Sequence, residues 1–133
     1  MDRIDEFIMK SLEKNSRMPF LQIAKILKVS EGTIRKRVSN LVKDSTIKSF
    51  TIETQTTPTC IVGIETDTHT KTEKIANRLK ETGIKKIYEV TGKYDIICLI
   101  ETRDMEKTNE ILEKIRAIEG VLHTETFTIL KKD

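Results

Sequence analysis

A chain of 133 residues, 37% hydrophobic and 34% charged, has room for one ordinary domain or for two small ones that lean on a partner. No apolar run approaches the roughly 18 residues of a membrane span. No signal-peptide pattern precedes the first helix, so a cytoplasmic protein with no membrane partner is expected. The formal charge of +3 is unevenly spread. Residues 1–50 hold 11 Lys and Arg against 6 Asp and Glu, whereas residues 51–133 hold 13 against 15, which puts any polyanion-facing surface in the first third.

The first predicted element is a helix over 2–14. Ile4, Phe7, Ile8 and Leu12 recur at helical spacing, and Asp2, Asp5 and Glu6 favour its positive N-terminal end. Residues 19–43, PFLQIAKILKVSEGTIRKRVSNLVK, then read as two short helices joined by a tight turn. Leu21, Ile23, Ala24 and Leu27 are the expected stripe of the first of these, Lys28-Val29 the turn, and Ser30 the N-cap of the second. With Ile34 as reference and about 100° per residue, Val38 and Leu41 fall within about 40° of it and form a buried ridge. Gly32, Lys36, Ser39, Asn40 and Lys43 point the other way, with Thr33, Arg35 and Arg37 on the flanks. Small, hydroxyl and cationic groups opposite an apolar ridge suit the major groove of double-stranded DNA, where side chains reach base edges and cations neutralise phosphates.

The segment Ile47–Ile52 alternates and is expected to be extended, as a wing strand. ETQTTP, 53–58, reads as a short linker. Beyond it the chain repeats itself. CIVGIET (60–66), a helix over 71–82 and a strand over 84–91 are followed by IICLIET (96–102), a helix over 104–118 and a strand over 121–130. Thr70 and Glu73 have capping-box spacing, and Gly83 and Gly120 fit left-handed helix ends. Ile111, Leu112, Ile115 and Ile118 give the second helix one apolar stripe. The fold class is therefore α+β: a three-helix, winged helix-turn-helix domain (1–52), a linker (53–58) and a ferredoxin-like βαββαβ sandwich (59–133). The strand 96–100 is apolar throughout, so both its faces should be covered. Helices cover one, and a second copy of the chain is expected on the other.

Chemistry-bearing motifs are scarce. Cys60 and Cys98 stand 38 positions apart inside apolar runs and His69 and His123 are isolated, so buried thiols and no metal site are expected. No phosphate loop, nucleophile elbow or HExxH pattern occurs, and no catalytic residue or cofactor is expected.

The run from Ile4-Asp5 through Ile23-Ala24, Ser30, Thr33, Arg35-Lys36-Arg37 and Ile47-Lys48, followed by VGIETD and Gly92-Lys93-Tyr94-Asp95, resembles the Lrp/AsnC family of leucine-responsive, or feast/famine, transcription regulators. The resemblance spans nearly the whole chain and rests on the order of motifs that are individually weak. It implies an N-terminal helix-turn-helix and a C-terminal effector and oligomerisation (RAM) domain. It also implies dimers that assemble further, often into octameric discs, and a free amino acid as effector near the loop matching Thr91–Asp95. There Thr91, Gly92, Tyr94 and Asp95 would meet the ligand, with Thr126 and Thr128 lining the pocket from a neighbouring subunit. The chemistry is reasonable, because Gly92 allows close backbone approach and Asp95 offers a carboxylate to an ammonium. A hairpin turn and ordinary strand threonines are the plain alternative. Two departures stand out. The family's longer connection is reduced here to about ETQTTP, which leaves its arm-swapped domain arrangement open, and Lys28 stands where relatives commonly carry glycine.

The leading expectation is a sequence-specific DNA-binding regulator, not an enzyme, acting as a homodimer or higher oligomer. Its candidate DNA-binding residues are Ser30, Gly32, Thr33, Arg35, Lys36, Arg37, Asn40 and Lys43. Gly32, Thr33 and Lys36 are the candidates for base edges, and Arg35, Arg37, Asn40 and Lys43 for phosphates. The alternative is a constitutive DNA-architectural protein with no effector. A small enzyme on the same scaffold is the remaining reading, without a nucleophile–base pair to support it.

Overall fold

Asp2 starts the first helix by capping it. Its Oδ1 accepts the N–H groups of Ile4 and Asp5 at 3.0 Å each, so α1 runs Arg3–Lys14, one residue later than expected. The computed structural model describes residues 1–54 and 60–133, and the chain divides into two compact units, Met1–Thr54 and Gln55–Asp133. The linker expected over 53–58 lies outside the described residues from position 55 onward.

The first unit holds α1, α2 (Phe20–Leu27) and α3 (Glu31–Lys43). Ile8 and Leu12 of α1, Ile23 and Ala24 of α2, and Ile34, Val38 and Leu41 of α3 close one core, with Phe7, Phe20, Leu27 and Ile47 packed at its edge. Burying each such aliphatic side chain contributes roughly 1.5–3 kcal/mol, so this small core holds three short helices that would not persist alone. Leu21 corrects the expected stripe. It stands about 200° around the helix from Ile23 and is 49% exposed, and Phe20 takes its place at the i, i+3, i+4, i+7 spacing with Ile23, Ala24 and Leu27.

Lys28 ends α2 in the left-handed conformation, φ 55° and ψ 44°, and the N–H of Val29 returns to the Ala24 carbonyl at 3.0 Å. After α3 the expected wing strand is not formed: among the described residues no strand precedes Cys60. Among the described residues, 47–54 are not assigned to a strand. They are held by the Ile47 N–H donating to the Leu41 carbonyl (2.8 Å) and by the Ser16 hydroxyl donating to the Thr51 carbonyl (3.0 Å).

The second unit contains β1 (Cys60–Thr66), α4 (Thr72–Glu81), β2 (Lys86–Glu89), β3 (Ile96–Ile100), α5 (Met105–Arg116) and β4 (Val121–Thr128). The strands lie in the order β2-β3-β1-β4, and every neighbouring pair is antiparallel. That order is the one a tandem strand–helix–strand repeat reaches when its two central strands pair side by side. Cys60, Val62 and Ile64 alternate with Ile96, Cys98 and Ile100 on one face, where Ile75 and Leu79 of α4 and Leu112 and Ile115 of α5 cover them.

Two local expectations need correction. The Thr70–Glu73 capping box does not form, because Asp67 captures Thr70 first: Asp67 Oδ1 accepts the Thr70 N–H at 2.7 Å, and Lys71 precedes α4 without a side-chain cap. Gly83 does follow α4 in a left-handed conformation, φ 93°. Gly120 does not cap α5, which ends at Arg116. It turns the chain into β4 at φ 97°, where a Cβ would come within 2.9 Å of Thr70 and Ile75 atoms. Within one chain the run Ile96–Ile100 is buried on the helix face, and Ile97 and Leu99 are half-buried on the other, the face on which a second copy is expected.

Candidate nucleic-acid interface

The recognition candidate α3 is built from its cap outward. The Ser30 hydroxyl accepts the Thr33 N–H at 3.1 Å and shares a 2.8 Å hydrogen bond with the Thr33 hydroxyl. Both expected contact residues are thereby engaged in starting the helix. Ile34, Val38 and Leu41 are buried, and the helix period then leaves Gly32, Lys36, Ser39, Asn40 and Lys43 exposed along the opposite side. Gly32 has open space around it; the nearest atom to an added Cβ is Ser30 Oγ at 3.9 Å.

The two flanking arginines differ. Arg35 donates to Glu31 at 2.6 Å, one turn back, and its guanidinium lies 5.5 Å from the Phe20 ring centroid, with most of the side chain in solvent. Arg37 turns toward α1 and donates to Asp2 Oδ2 at 2.6 Å and Asp5 Oδ1 at 3.1 Å. These bonds hold the guanidinium pKa above its ordinary value. The Asp5 N–H bond first, and then Arg37, hold the Asp2 carboxyl below its own.

In the second unit the turn Thr91–Asp95 joins β2 to β3. Asp95 is tied to β1: its Oδ2 accepts the Thr66 N–H at 2.8 Å and the Thr66 hydroxyl at 3.0 Å, and its own N–H donates to the Ile64 carbonyl. Gly92 has φ 126° with nothing near its missing Cβ. The Tyr94 ring lies flat over Gly63, where a Cβ would sit 2.8–2.9 Å from ring carbons, and Lys93 reaches both that ring (5.4 Å) and Glu125 (3.5 Å). Thr126 and Thr128 face Val62 and Cys60 across β1, whereas Tyr94 lies over the neighbouring Gly63 on the opposite face. Among the described residues of one chain the two threonines and the Tyr94 ring thus stand on opposite faces of the sheet, and the expectation had assigned the threonines to a neighbouring subunit.

Residues 1–42 match the AsnC-type helix-turn-helix domain and residues 59–132 the Lrp/AsnC ligand binding domain. The chain belongs to the Lrp/AsnC family. The HTH-type transcriptional regulator LysM of Saccharolobus solfataricus is 37% identical over 134 residues, covering 98% of this chain and 94% of its own length. AsnC of E. coli superposes with a TM-score of 0.74 at 24% identity, over 99% of this chain and 93% of that one. The M. tuberculosis feast or famine regulatory protein, solved complexed with L-methionine, has a TM-score of 0.80 at 18% identity, over 98% and 92%. These two likenesses speak to the fold. As an Lrp/AsnC member with an AsnC-type helix-turn-helix, the protein is a DNA-binding transcriptional regulator, and its relatives are regulators rather than enzymes.

Among the described residues no group of three or more His, Cys, Asp or Glu could hold a metal ion, and no helix is long and apolar enough to cross a membrane. Burial raises the Cys60 thiol pKa. Burial, followed by the nearness of Cys60, pushes Cys98 up to about 12. Sequence reasoning missed the partners that organise this Lrp/AsnC chain: Phe20 and Glu31 beside Arg35, Asp2 and Asp5 beside Arg37, and Gly63 beneath Tyr94. The signal was present for Gly63, since glycine inside a strand often marks a close approach. For Asp2 and Asp5 the helix-dipole explanation was sufficient by itself and hid the second role.

Proposed function

We propose that this regulator works as a homodimer or higher assembly in the cytoplasm, laying two copies of α3 into the major groove of a pseudo-palindromic duplex. The observation that carries the reading is the unbroken exposed side Gly32–Lys36–Ser39–Asn40–Lys43, opposite a ridge fixed in the core. Gly32, Thr33 and Lys36 sit at the half of the helix that would meet base edges, and Arg35, Asn40 and Lys43 at positions suited to phosphates. A second copy is supported by the helix-free face of the sheet. There Ile61, Ile97, Leu99, Tyr88 and Phe127 leave apolar surface partly or largely exposed.

A free amino acid is proposed as effector at the C-terminal unit, supported by the match to the family's ligand binding domain and by the methionine complex of the M. tuberculosis protein. One observation favours an effector-free, architectural role: Asp95 already spends a carboxylate oxygen on Thr66. Enriching random duplexes on the purified protein, with and without an amino-acid mixture, tests both. A defined half-site that changes in affinity or spacing when amino acids are added is the expected result. Enrichment of no sequence would overturn the groove-reading role, and identical enrichment in both arms would favour the architectural one.

A further inference from the structure

The sequence pattern puts Arg37 among the cations that would touch phosphate, but its surroundings point elsewhere. Its side chain is 29% exposed, against 66% for Arg35, and its guanidinium is shared between the carboxylates of Asp2 and Asp5. Asp5 is only 18% exposed, so this pair is partly shielded from solvent. Asp2 is used on both sides. One oxygen caps α1 by accepting the N–H groups of Ile4 and Asp5, and the other receives Arg37. One guanidinium between two carboxylates is a net negative group, which repels phosphate at contact range. Both bonds leave one guanidinium nitrogen, Nη1, so a single cationic point on α3 gathers two carboxylates from the first turn of α1.

We propose that Arg37 is a positioning residue: through Asp2 and Asp5 it locks the start of α1 to α3 and so sets the angle at which α3 presents Lys36 and its neighbours to the groove. The inference rests on α3 being the DNA-facing helix. Arg37 lies on the flank of α3 about 60° from Ile34, on the side away from Arg35. The core fixes how deeply α3 is buried, and the clamp fixes its rotation and tilt where Ile8 and Leu12 alone would allow repacking.

The two roles predict opposite signs. If Arg37 contacted phosphate, Asp5→Asn would free it and tighten binding to every duplex, and Arg37→Gln would flatten the salt dependence by about one unit of log–log slope. As a clamp, Asp5→Asn and Arg37→Gln should each lower the ratio of operator to scrambled-duplex affinity by about 10-fold, with the salt slope on scrambled DNA unchanged. The double variant should be no worse than either single one, because both break the same contact. Arg37→Lys, which keeps the charge on a shorter side chain whose ammonium falls short of the position of Nη1, should recover only part of the ratio, and it stands in for Arg37→Gln should that variant not fold.

The measurement is affinity of the full chain for an enriched operator and a scrambled duplex across a salt series, with the folded fraction of each variant checked by circular dichroism. Tighter binding by Asp5→Asn, a flatter slope for Arg37→Gln, or full recovery by Arg37→Lys would overturn the clamp. Lys36→Ala separates this from the reading beneath it. If Lys36→Ala loses discrimination while the Asp5 and Arg37 variants keep it, the clamp alone falls. If none of them changes binding to any duplex, α3 is not the DNA-facing helix and the clamp falls with it.

Discussion

On the proposed groove-reading role, Gly32 would serve binding at the cost of stability. In the first turn of α3 it has room for a methyl group, and glycine in a helix is about 0.5–1 kcal/mol worse than alanine. Gly32→Ala should therefore raise the melting temperature while weakening operator binding, because the added Cβ stands where a base edge would approach. Thermal denaturation beside a titration reads both signs. Asp2 sets a second expectation. Its folded pKa lies below the ordinary 3.8, so the stability it contributes is complete above that value and is lost as pH falls through the folded value. Asp67, held down first by the Thr70 N–H, behaves in the same sense. The melting temperature should fall as pH drops below about 3.8, and less steeply in Asp2→Asn, which can be checked with a pH series of melts.

At the scale of elements, α3 is legible in the sequence because its determinants are local. A serine three residues before the bonded N–H and three apolar residues on one stripe suffice, and Ser30, Ile34, Val38 and Leu41 all stand where the pattern puts them. The start of α4 is not, since Asp67 and Thr70 offer the backbone a turn that competes with the Thr70–Glu73 cap, and the spacing rule cannot rank the two. Leu21 and Gly120 fail for a related reason. Apolar character and glycine identity say that a side chain or a turn is special without saying which neighbour it meets. The segment after α3 could not become a strand without a partner strand, which is a non-local requirement. The turn between α2 and α3 carries its own expectation. Lys28 occupies a left-handed conformation that a side chain disfavours, so Lys28→Gly should stabilise the protein by about 0.5–1 kcal/mol, read from denaturant midpoints.

For the whole molecule, the tandem repeat in the sequence already contains the strand order, because two copies of one unit in an antiparallel sheet leave few arrangements. The exposed side of α3 was also legible, whereas two of the six effector candidates, Thr126 and Thr128, lie on the sheet face opposite the Tyr94 ring and were expected to act from a neighbouring subunit, which no pattern within one chain can display. The helix-free face carries the expectation for assembly: Leu99→Glu, a charge placed among Ile61, Ile97 and Phe127, should shift sedimentation toward the monomer while the far-ultraviolet spectrum stays unchanged. Both cysteines belong to the C-terminal unit, sealed beneath its helices and strongly disinclined to ionise. A thiol-specific dye should therefore find neither sulfur until that unit opens, so the rate of labelling is a clock for its breathing alone, blind to whatever the helical N-terminal unit is doing.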